Sequence, residues 1–271
     1  MKELQSLQEN SNNFTLIVTA LHAEAKPLIE EFKLKKVSST FEIFKNENIV
    51  LIVSSIGQIN SIIATTHILS LFNCSKIINY GIAGAKNQKL NIGEFCLINK
   101  ILEFESKKAQ YLDLIFDFDF HEASLTTSNK AIDISQKDEI FTDLVDMESY
   151  WFYLTASRFL QNHQIFVAKV ISDYLDTSIP TKEFVEELSK SGVQNLKKII
   201  DVDFNLNLAI TNHDRLFCDE LSKKLKLSKT QSVELLNLYT HAKMVNRLDL
   251  FENIDFLNKN IVIGYLAEKL C

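Results

Sequence analysis

Four apolar runs rich in β-branched residues, Phe14–Leu21, Ile49–Val53, Lys76–Tyr80 and Ile165–Ile171, constrain this chain most. Phe14–Leu21 and Ile165–Ile171 read as strands covered on both faces, and the other two runs as further strands. Three of the four runs give way to a polar segment and then to helical periodicity, at Leu28–Phe32, Ser61–Phe72 and Thr181–Ile200. Such strand–helix alternation predicts parallel strands with helices on both sides. Phe41–Phe44, joined to Ile49–Val53 by the polar Lys45–Asn48, and Phe95–Phe104 read as antiparallel additions. The predicted class is α/β, a three-layer αβα sandwich with a mixed central sheet.

Three of the six glycines fall in Ile77–Gly93. Gly81 and Gly84 predict a tight turn between two strands, with main chain free to line a pocket. The spacing is neither Gly-x-Gly-x-x-Gly nor a P-loop, so dinucleotide and triphosphate readings find no support. Tyr111–His121 alternates acids (Asp113, Asp117, Asp119) with Leu114, Phe116, Phe118 and Phe120, and reads as a half-exposed strand or extended loop. Its acids lack calcium-loop spacing, so no metal is expected. Ser124–Lys130 reads as a polar loop. Leu144–Ser149 runs into an aromatic-rich helix, Tyr150–Leu160.

Residues 1–13 offer nothing to bury and read as a disordered tail, 14–202 as the α/β domain, and 203–271 as a small helical extension. In the extension, Arg215–Lys226 and Lys229–Leu248 are amphipathic, with Ser228 placed to cap the second helix. Cys218–Tyr239 resembles a helix-turn-helix flanked by Lys223, Lys224, Lys226 and Lys229, but nearby acids offset the lysines, so DNA contact is not the favoured reading. A net charge of −6 also argues against a general nucleic-acid binder. No run reaches the ~18 apolar residues of a membrane span, and the polar N-terminus lacks a signal-peptide core, so a cytoplasmic location and no membrane partner are expected. The four cysteines are scattered without metal-site spacing and read as buried free thiols.

Glu24, Glu148 and Asp173 each follow or flank a strand end, on the rim where open α/β sheets bind ligands. Around them stand Thr19–Glu24, Ser55-Ile56-Gly57, Asn79–Ala85, Ile92-Gly93, Val145-Asp146-Met147-Glu148 and Ile171-Ser172-Asp173. In that order they resemble the nucleoside phosphorylase family, and most closely its hydrolytic branch, the 5′-methylthioadenosine/S-adenosylhomocysteine nucleosidases. The resemblance covers about Phe14 to Ile200. It implies that Asp173 donates a proton to N7 of a purine, that Glu148 receives the ribose hydroxyls with Met147 packed on the sugar, and that Glu24 activates a water at C1′. It also places Gly57, Gly81, Ala83, Gly84 and Ser172 around the substrate. A cationic sugar transition state explains why carboxylates gather there.

Asn129 offers an amide to a base edge or serves as an ordinary turn residue. Phosphorolysis would need cations for phosphate, and the three arginines, Arg158, Arg215 and Arg247, all fall elsewhere. Lys26 and Lys86 are the remaining candidates, so water is the favoured nucleophile. Two departures from the nucleosidases stand out: Ile82 replaces a hydroxyl residue, and no aromatic ring falls near Ser124–Ile132 to stack on a base. They leave open a nucleoside-binding sensor with little turnover. The expected partners are a small nucleoside and, from the resemblance, a second copy in a homodimer; no cofactor is expected.

Overall fold

A computed structural model describes residues 13–37, 41–116, 118–132, 134–175, 180–202, 212–244, 247–251, 254 and 261–270. Expectations for the N-terminal tail, Asp117 and residues 203–211 lie outside these. All four apolar runs are strands of one mixed sheet. β1 (Phe14–Thr19) pairs in parallel with β4 (Ile49–Val53) and with β5 (Cys74–Ala85), and β5 pairs in parallel with β10 (Ile165–Asp173). Their side chains are almost wholly buried, which is why the sequence shows no polar alternation there. β3 (Glu42–Lys45) and β2 (Lys35–Val37) extend the sheet antiparallel at one edge.

At the other end the sheet closes on itself. β6 (Phe95–Glu103) is antiparallel to β10, β8 (His121–Thr127) is parallel to β6, and β9 (Leu144–Asp146) joins β8 to the end of β5. With β10 also on β5, five strands form a closed ring, and β7 (Ala109–Tyr111) pairs outside it on β6.

Two sequence expectations are corrected here. Gly81 and Gly84 form no tight turn: β5 continues through both to Ala85, and the chain reverses only between Lys86 and Glu94. Glycine inside a strand marks close approach by another group, as the site shows below. Ser124–Thr127 belongs to β8 and is no loop. Its hydroxyls are satisfied by residues on or just before the neighbouring β9, Ser124 Oγ donating to Asp143 (2.6 Å), Thr126 Oγ pairing with Thr142 Oγ (2.6 Å) and Thr127 Oγ donating to Asp146 (2.6 Å). Satisfied polar groups can be buried in a strand without the cost an orphan would carry.

Helices flank the sheet in two pairs. α1 (His22–Glu31) packs on α4 (Lys182–Asp201), and α2 (Gln58–Leu71) packs on α3 (Ser149–Ala156). The chain divides into two compact units after Asp201. In the second, α5 (Asn212–Lys224), α6 (Lys229–Met244) and α7 (Val262–Leu270) enclose a core that includes Leu221, Leu235, Tyr239, Phe251 and Leu266. Ser228 caps α6: its Oγ accepts from Gln231 N (3.3 Å) and Gln231 returns a bond to Ser228 N (3.0 Å). The α5–α6 turn carries Lys226 at φ +54° where a glycine would be unstrained. Of the cysteines, Cys96 and Cys218 are buried free thiols and Cys74 is half-buried; burial pushes each thiol up to about 12.

Gly192 shows how tightly α4 sits on the sheet. A Cβ there would lie 2.7 Å from Val170 Cγ2 and would also clash with the Tyr80 hydroxyl. That hydroxyl is held by the Ser189 carbonyl at 2.6 Å. Alanine normally stabilises a helix interior by about 1 kcal/mol over glycine. Here overpacking outweighs it, and Gly192→Ala is expected to lose about 1–3 kcal/mol in urea unfolding.

Candidate active site

Glu24 lies in the first turn of α1, directly after β1. Its Oε2 accepts from the backbone N–H groups of Ala20 and Leu21, both at 2.9 Å. This is half a capping box, since Leu21 has no side-chain acceptor to answer it. Its Oε1 does something a cap does not require: it accepts from Ile82 N at 3.0 Å, across the sheet rim on β5. Gly81 makes that reach possible, because a Cβ there would stand 2.6 Å from Oε1. Glu24 is 3% exposed, and burial raises its pKa against the pull of Lys169 and the three N–H donors.

Asp173, the last residue of β10, occupies the matching position three residues along β5. A Cβ at Gly84 would fall 2.9 Å from its Oδ1. Oδ1 accepts from Leu175 N (2.8 Å), and Oδ2 accepts from Ser172 Oγ (2.6 Å), which also reaches the Ala83 carbonyl at 3.2 Å. Each glycine of the pair is thus a socket for one carboxylate.

Glu148 follows β9 and opens α3. Its Oε1 accepts from Gly57 N at 2.7 Å. Gly57 begins α2 at φ +100°, a conformation only glycine adopts without strain. Burial, reinforced by the charge of Asp146, pushes the Glu148 carboxyl up to about 7, while Lys169 and the Gly57 N–H pull it down. Met147 is half-buried beside it, and Asn129 lies exposed in the loop after β8. Glu24, Glu148, Asp173, Gly57, Gly81, Ala83, Gly84 and Ser172 therefore all lie where β1, β4, β5, β9 and β10 end or meet. Asn129 instead donates its backbone N–H to Glu105.

Residues 15–134 match the Phosphorylase superfamily. The chain is 30% identical over 95 residues to the aminodeoxyfutalosine nucleosidase of Campylobacter jejuni, a stretch covering 33% of this chain and 42% of that one. It is 36% identical over 66 residues to the 5′-methylthioadenosine/S-adenosylhomocysteine nucleosidase of Staphylococcus carnosus, covering 24% of this chain and 29% of the relative. The matched stretches span less than half the length of either curated relative. Among solved structures, the methylthioadenosine/adenosylhomocysteine nucleosidase of Helicobacter pylori, crystallised with butyl-thio-DADMe-Immucillin-A, superposes with a TM-score of 0.63 at 17% identity. It is covered to 99% by 71% of this chain. A futalosine hydrolase mutant of H. pylori gives 0.62 at 17% identity, with 70% of this chain covering 99% of it. The fold is the one these nucleosidases share.

Both lysines considered for phosphate are engaged. Lys26 pairs with Glu186 at 2.7 Å, and Lys86 donates to the Ile140 carbonyl. Under the rim lies a group that sequence reasoning missed. Lys169 of β10 pairs with Asp146 at 2.9 Å, and both side chains are nearly fully buried. Its signal was legible: a lysine inside the apolar run Ile165–Ile171 must find a counter-charge.

The raised Glu148 carboxyl makes a stability prediction. The folded protein keeps this proton up to a pH of about 7, whereas the unfolded chain releases it near 4.5, the ordinary value. The contribution of Glu148 is thus greatest below the unfolded value and is lost as pH rises through this window, by up to about 3 kcal/mol. Denaturant unfolding of wild type and Glu148→Gln across the window is expected to show the wild type losing stability relative to the variant as pH rises.

Proposed function

We propose that this chain hydrolyses the N-glycosidic bond of a purine nucleoside of the methylthioadenosine or adenosylhomocysteine kind. The observation that carries this reading is the seating of Glu24 and Asp173 against Gly81 and Gly84, with Glu148 on the same rim. Asp173 gives its proton to N7 of the base as the C1′–N9 bond breaks, and the bonding electron pair leaves with the base. Glu148 holds the ribose hydroxyls, and the carboxylates stabilise the positive charge that develops on the sugar. A water held by Glu24 adds to C1′ and yields a proton to Glu24. The products are free base and free sugar. Burial lifts Glu24 above its ordinary range, toward the pH at which a general base works best.

Water rather than phosphate is supported by the engagement of Lys26 and Lys86. A second reading, a nucleoside sensor with little turnover, is favoured by two features of the rim. Ile82 offers only its backbone N–H, already given to Glu24, and Leu175 packs over Gly84 beside Asp173, at φ +61°. We also place the protein as a homodimer, as the resemblance implies.

Base release from methylthioadenosine, adenosylhomocysteine, aminodeoxyfutalosine, inosine and adenosine, with and without phosphate, tests these readings. Release without phosphate is expected, falling by about 10²–10⁴-fold in Asp173→Asn while nucleoside binding persists. Release only with phosphate would make the chain a phosphorylase. Saturable binding with no release would make it the sensor.

A further inference from the structure

Lys169 lies beneath the rim, in the field of Asp146, Glu148 and Glu24. Its Nζ donates to Asn79 Oδ1 (2.8 Å) and pairs with Asp146 Oδ2 (2.9 Å). Asn79 Oδ1 also accepts from Ser149 Oγ (3.0 Å), and its amide donates to the Val18 carbonyl (3.2 Å). Asp146 is saturated, accepting from Thr127 Oγ (2.6 Å), Ser149 N (3.0 Å) and Ser149 Oγ. One network thus ties β1, β5, β8, β9, β10 and the start of α3 together beneath the rim.

The charged groups facing Lys169 are Asp146 from β9, Glu148 from the β9–α3 junction and Glu24 from α1. Burial works to strip its proton, but these three carboxylates outweigh it and hold the ammonium charged above its ordinary range. One cation therefore serves three buried carboxylates, and Asp146 alone is fixed to it by a direct ion pair.

We propose that Lys169 is the positioning residue of this site: its ammonium, locked to Asp146 and Asn79, holds the β9–α3 junction that carries Glu148 and supplies the positive charge shared by Glu24 and Glu148. The inference rests on the reading of those two glutamates as site groups. Removing a neighbouring cation disfavours a carboxylate, so Glu148 should take up its proton more readily without Lys169.

The test uses the full chain with glutamate carboxyls labelled by ¹³C, Glu148 being assigned as the signal lost in Glu148→Gln. In wild type its titration midpoint is expected near 7. In Lys169→Met, or in Lys169→Gln should the first variant fail to fold, the midpoint is expected to rise by about one pH unit or more. Lys169→Arg should restore it. With methylthioadenosine as substrate, the Met or Gln variant is expected to lose about tenfold or more in kcat with a smaller change in KM, the arginine variant recovering most of the rate. An unmoved midpoint and an unchanged rate in a folded variant would overturn the proposal and leave Lys169 a packing residue. A wild type that releases no base would refute the nucleosidase reading instead, and the carboxyl titration would still decide the role of Lys169.

Discussion

β5 has to pair with three strands and still let two carboxylates touch its backbone. It is parallel to β1 and β10 over most of its length and meets β9 antiparallel at its end. Any side chain at positions 81 or 84 would collide with Glu24 or with Asp173 and Leu175. Glycine in a strand interior costs stability, and here that cost is offset by what the bare backbone admits. Ile82 N holds Glu24, the Ala83 carbonyl holds Ser172, and Ser172 holds Asp173. β5 is paired along both edges, with β10 on one side and β1 and then β9 on the other, so its register is fixed.

Electrostatics then decides what the rim can do. Taking carboxylates out of water is expensive unless hydrogen bonds and opposite charge compensate. Glu24 receives three backbone N–H bonds and Glu148 one, yet burial prevails over these donors and over Lys169 in both groups. The Lys169–Asp146 pair lies beneath them. Losing one partner of such a buried pair typically costs about 3–5 kcal/mol, so the same ion pair carries fold and site together.

Much of the fold was legible because it rests on burial. The four apolar runs gave their strands within a few residues, and the helices beginning near Ser61 and Lys182 showed their periodicity, whereas α1 starts at His22, ahead of Pro27, which lies inside it. The misreadings at Gly81–Gly84 and Ser124–Thr127 share a cause. Both are strands whose composition is set by partners distant in sequence, carboxylates in one case and polar residues on or beside β9 in the other, and a local reading sees only turn-forming residues. The three carboxylates were visible at strand ends in a familiar order. Lys169 was hidden by that same familiarity, since it lies inside a strand, and Asp146 and Asn79 had appeared as sequence neighbours rather than as its partners.

The central claim is that Glu24, Glu148 and Asp173 form one site for a nucleoside, each held by backbone where β5 and its neighbours end. A crystal structure of the chain with an unreactive purine nucleoside analogue bearing a cationic ring in place of ribose tests it most directly. The account expects the base N7 within hydrogen-bond distance of the Asp173 carboxyl, the sugar-like hydroxyls on Glu148, and the cationic ring beside Glu24. An analogue bound elsewhere, or bound at the rim with Asp173 turned away from N7, would contradict it.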